Sequence, residues 1–60
     1  MGLKKLYYLI DTKTSETLDI INCSDIKKTI KKYGRFVDYE AAPSYLYYNN
    51  DTELNIIEED

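Results

Sequence analysis

One short stretch decides most of what this chain can become. Leu6-Tyr7-Tyr8-Leu9-Ile10 is its longest apolar run. In an extended strand it places Lys4, Leu6, Tyr8 and Ile10 on one side and Lys5, Tyr7 and Leu9 on the other. A strand with large side chains on both faces belongs at the centre of a sheet, or under cover on both sides. The run is far too short to cross a bilayer. A chain of 60 residues buries only about 60% of the surface it exposes when unfolded, so few side chains build its core. Leu, Ile, Val and Phe together number 15, a quarter of the chain and above the roughly 20% below which charged chains stay disordered. We therefore expect one small folded domain. A nucleotide-binding α/β enzyme does not fit in this length, and Met1-Gly2-Leu3-Lys4-Lys5 lacks the pattern of a secretory signal.

Turn residues and periodicity divide the rest. The polar stretch Asp11 to Glu16 separates the first apolar run from Thr17-Leu18-Asp19-Ile20-Ile21, which reads as a β-hairpin over 3–22. Ser24 is placed to cap a helix over 25–33, with Asp25 in its first turn. Ile26, Ile30 and Tyr33 recur at helical spacing and form one apolar stripe. Gly34 supplies the C-terminal left-handed turn. Arg35 to Glu40 reads as a short strand, interrupted beyond by Pro43. Ser44-Tyr45-Leu46-Tyr47-Tyr48 and Glu53-Leu54-Asn55-Ile56-Ile57 flank Asn49-Asn50-Asp51-Thr52 and read as a second hairpin over 44–57. The expected fold is a two-layer α+β domain in the order ββα-β-ββ. Its antiparallel sheet of four to five strands carries one α-helix packed on one face, and the other face meets water or a partner.

The residue inventory narrows the chemistry. The chain has no histidine and no Gly-rich phosphate loop, so most familiar catalytic constellations cannot be assembled. No enzyme activity, cofactor or metal site is expected. Cys23, the one cysteine, makes no internal disulfide and points to a reducing, cytoplasmic setting. It reads as a small buried hydrophobe at a strand end. Structural zinc needs about four N or S ligands. Asn49 to Glu53 lacks the ligand periodicity of a calcium loop.

Three features are candidates for contact with another molecule. The first is the tyrosines. If one helix covers one face, Tyr45 and Tyr47 are expected on the other, with Leu46 inward and Tyr7 or Tyr8 alongside. The second is the basic helix surface of Lys27, Lys28, Lys31, Lys32 and Arg35, with roughly the footprint phosphates require. The third is charge asymmetry. Residues 1–36 hold all eight basic groups and four acids, whereas residues 37–60 hold seven acids and no base. Asp51 and Glu53 belong to that acidic half, which can present carboxylates to a basic protein surface.

These features are expected to make a small binding module that contacts a protein partner through Tyr45, Tyr47, Tyr7, Asp51 and Glu53. Phage or mobile-element inhibitors of host factors are one context for such a protein. The alternatives are a nucleic-acid-binding module using the lysine helix, or a self-assembling structural subunit, including a homodimer through the open sheet face.

Overall fold

A computed structural model describes residues 3–49 and 54–59. The first apolar run forms β1 (Lys5–Asp11), and the second forms β2 (Thr17–Cys23). They pair antiparallel from Lys5↔Cys23 onward. Asp11 builds the turn between them. Its carboxylate accepts from the amides of Lys13 (2.8 Å) and Thr14 (3.3 Å), and its own amide donates to the Glu16 carbonyl at 2.8 Å. Ser15 takes the left-handed conformation at φ 63°. The register slips once, with Leu9 opposite Asp19 and Ile10 opposite Thr17. Leu18 is therefore the extra residue of a bulge, and it is exposed.

The expected helix forms as two short pieces. α1 spans Ile26–Thr29, and a 3-10 turn continues over Ile30–Tyr33. Its cap is Asp25 rather than Ser24, because the Asp25 carboxylate accepts the Lys28 amide at 3.3 Å. Gly34 ends it at φ 95°, a conformation that favours glycine. Asp25→Ala is expected to lower stability by about 1 kcal/mol, read as a shift in the urea midpoint at unchanged slope.

β3 (Val37–Ala41) pairs antiparallel with the free edge of β1, starting two residues later and ending one residue later than the sequence indicates. The segment expected as the second hairpin departs from that reading. Residues 46–49 are not a strand but a single helical turn, α2 (Leu46–Asn49). The amides of Leu46, Tyr47 and Tyr48 donate three residues back, to the carbonyls of Pro43, Ser44 and Tyr45. β4 (Ile56–Glu58) pairs with β2 in parallel. The four-stranded sheet is thus mixed, in the order β3-β1-β2-β4, and with its short helices gives a small α+β domain. Connectivity explains the difference. β1 is occupied on both edges, which leaves the outer edges of β2 and β3, and Ile56-Ile57 takes that of β2. To reach it from β3 the chain crosses the sheet.

That crossing covers the second face. On the α1 side, Leu9, Ile21, Cys23 and Ile26 are buried together, with Tyr7, Ile30, Tyr33, Val37, Tyr39 and Ile57 packed against them. On the α2 side Leu6, Ile20 and Leu46 are buried, with Tyr8, Ala42, Leu54 and Ile56 around them. β1 is central and covered on both faces, as its pattern requires. The expectation of a fully open face is corrected, because α2 and its flanks occupy much of it. Cys23 is fully buried at the end of β2. No helix among the described residues is long and apolar enough to cross a membrane.

Candidate functional site

The tyrosines end in three environments. Tyr7 lies on the α1 side, edge-on against Tyr39 with ring centroids 5.8 Å apart. It is half-buried against the core, and it does not join Tyr45 and Tyr47. Tyr8 packs beneath α2 beside Leu6, Ile20 and Leu46. Tyr45, Tyr47 and Tyr48 are 58%, 49% and 82% exposed, whereas Leu46 between them is 8% exposed. The expected inward Leu46 and outward Tyr45 and Tyr47 are found, but by a different route. A strand would have turned Tyr48 inward with Leu46; the helical turn leaves it the most exposed of the three. Tyr47 and Tyr48 meet edge to face at 5.6 Å.

Beside this ridge lies a groove of about 210 Å³, lined by Lys4, Lys5, Leu6, Asn22, Ser44, Tyr47 and Tyr48. Leu6 and Asn22 form its floor from β1 and β2, and the α2 turn makes one wall. The Asn22 amide donates to both oxygens of Glu58, at 3.2 and 3.3 Å. Lys4 pairs with Glu58 at 3.5 Å. Lys5 has no carboxylate partner among the described residues. Asp51 and Glu53 lie outside the described residues.

No protein-family model matches the sequence, and neither the curated proteins nor the solved structures give a match. The geometry therefore carries the functional argument.

The basic surface is less uniform than the sequence indicates. Lys27, Lys28, Lys31, Lys32 and Arg35 are all exposed. Lys32, however, donates to the Glu59 carboxylate at 3.2 Å. Arg35 stacks over the Phe36 ring at 4.9 Å, and Lys13 from the hairpin turn stacks over it at 4.3 Å. No local spacing signals this second contact, since Lys13 and Phe36 are 23 positions apart. Lys4, Lys5, Asn22 and Ser44 were also missed as groove residues; their convergence depends on the α2 turn. Among the described residues, no group of three or more His, Cys, Asp or Glu side chains is placed to hold a metal ion.

Glu59 ties the chain beyond β4 to the helix. The Tyr33 phenol donates to its carboxylate at 2.7 Å. Burial first, and then the bond and charge of Glu59, push the Tyr33 pKa from 10.0 up to about 12. The hydrogen bond from Tyr33, followed by that from Lys32, lowers the Glu59 pKa. The signs are opposite. The raised Tyr33 value supports the fold in full below pH 10 and is lost as pH climbs toward about 12. The lowered Glu59 value supports it above the ordinary carboxylate range and is lost as pH falls through the folded value. Tyr33→Phe is expected to flatten the alkaline arm of a stability-versus-pH curve measured by urea titration.

Proposed function

We propose that this chain is a non-catalytic binding module that contacts a protein partner through the tyrosine ridge of α2 and the groove beside it. One observation carries the reading: Tyr45, Tyr47 and Tyr48 are held outward on a turn anchored by buried Leu46. Tyrosine supplies large, rigid contact area with few torsions to immobilise, and its hydroxyl satisfies a polar rim. Fixing three rings beside a concavity lowers the ordering cost of association. The acidic half, with Asp51 and Glu53, adds charge that orients the encounter. Occupying a host factor's surface, as a phage or mobile-element inhibitor would in the cytoplasm, is the context this reading favours.

The test is comparative affinity capture from native-host cells with the wild type and with Tyr47→Ser/Tyr48→Ser, read by mass spectrometry. The variant is expected to stay within about 0.5 kcal/mol of wild-type stability and to lose the wild-type partner. A folded variant that retains the same partner rejects the reading. The Lys13–Phe36–Arg35 stack favours a second reading, nucleic-acid binding on the basic side. On the proposed function, the bare protein does not retard labelled DNA or RNA even at low salt. Retardation that rising salt suppresses, and that Lys27→Glu with Lys31→Glu abolishes, would put the second reading first.

A further inference from the structure

The outer edge of β3 is uncovered by any strand among the described residues, and its hydrogen-bonding groups can be assigned. The Thr12 amide donates to the Phe36 carbonyl, and the Ala42 amide donates to the Leu6 carbonyl. These bonds bracket an unbroken antiparallel register in which Ile10 faces Asp38 and Tyr8 faces Glu40. Hydrogen-bonded and non-bonded pairs alternate in such a ladder. The even residues of β3 therefore bond to β1, and the amides and carbonyls of Val37, Tyr39 and Ala41 point outward.

The middle donor of that edge is already engaged. The Tyr39 amide donates to the Asp38 carboxylate at 2.7 Å. Asp38 and Glu40 share the sheet face of Ala42, opposite that of Val37 and Tyr39. Both are exposed, and neither has a cationic partner among the described residues. A second copy pairing antiparallel about Tyr39 would set Asp38 against Glu40 twice, and like charges directly opposite destabilise a sheet. An incoming strand with Lys or Arg at alternate positions meets the reverse situation. Its cations lie opposite Asp38 and Glu40, draw the Asp38 carboxylate outward, and release the Tyr39 amide to the ladder.

We propose that the outer edge of β3 docks an extended basic segment of a protein partner by strand addition, with Asp38 the latch that the segment displaces. This surface is separate from the tyrosine ridge and does not depend on it.

The test uses the whole chain and a short synthetic peptide alternating lysine with valine. Two controls accompany it: a glutamate-for-lysine counterpart, and a lysine peptide N-methylated at alternate amides, which keeps the charge but cannot pair. Amide chemical shifts and hydrogen exchange are read residue by residue. The lysine peptide is expected to bind saturably, to slow exchange at Val37, Tyr39 and Ala41, and to bind Tyr47→Ser/Tyr48→Ser equally well. Asp38→Lys with Glu40→Lys is expected to weaken it at least about tenfold and to admit the glutamate peptide. Glu40→Gln, a milder change on the same face, is expected to weaken the lysine peptide to a smaller degree. Equal binding of the N-methylated peptide, shifts confined to other elements, or no saturable binding near millimolar concentration would each overturn the proposal.

Discussion

Ile21→Ala is expected to lower stability by about 2–5 kcal/mol. A domain of this size holds only about 3–9 kcal/mol in total, at about 0.05–0.15 kcal/mol per residue. The variant is therefore expected to sit close to its unfolding midpoint in buffer, or beyond it. Ile21 is fully buried on the α1 side of β2, where it packs with Leu9, Cys23 and Ile26. Ile20 is equally buried on the opposite face, so Ile20→Ala is expected to match it. Ile30→Ala is expected to fall below both, since Ile30 is only half-buried. Lys28→Ala should change stability by less than about 0.5 kcal/mol. Urea unfolding followed by circular dichroism measures all four. An Ile21→Ala loss no larger than that of Lys28→Ala would mean that the sheet is not covered on the α1 side.

The second large effect is expected at Leu46. Leu46→Ala removes the buried anchor of α2 and is expected to cost about 2–4 kcal/mol, with faster hydrogen exchange at Tyr47 and Tyr48. Tyr48→Ala decides between the two backbone arrangements. In a strand, Leu46 and Tyr48 would share a buried face and both substitutions would be costly. On the helical turn Tyr48 stands 82% exposed, so Tyr48→Ala is expected to change stability by less than about 0.5 kcal/mol. Comparable losses at the two positions would restore the hairpin.

How far each element is legible in the sequence follows the range of the interactions that form it. The β1–β2 hairpin was readable because its two halves alternate and Asp11 closes the turn within a few residues. The α1 stripe was readable because Ile26, Ile30 and Tyr33 mark one helical face. Residues 44–48 were not, because Tyr45-Leu46-Tyr47-Tyr48 fits a half-buried strand and an anchored helical turn alike. Only the crossing from β3 to the far edge of β2 decides between them, and no local residue records it. The parallel pairing of β4 escaped notice for the same reason. Within the candidate site, the outward Tyr45 and Tyr47 could be anticipated from the aliphatic Leu46 between them. Tyr7 could not be assigned, since the alternation of β1 states that Tyr7 and Tyr8 differ in face but not which face each takes. The groove has residues from three separated segments, and no spacing in the chain announces it.

The parallel edge also sets an order of assembly. Leu9 and Asp19 are ten positions apart, whereas Ile20 and Ile56 are 36 apart. Closing a longer loop carries a larger entropic penalty before any contact offsets it, and non-local pairings slow folding. The hairpin is expected to form first, β3 to add to it, and β4 to zip last. Until β4 docks, the tyrosine ridge is held only by its link to β3 and by Leu46 on Leu6 and Ile20, so it acquires its final shape in the last step. Stopped-flow tyrosine fluorescence should then lag behind the circular dichroism of the hairpin. A partner that reads the ridge would in effect recognise only chains that have finished folding.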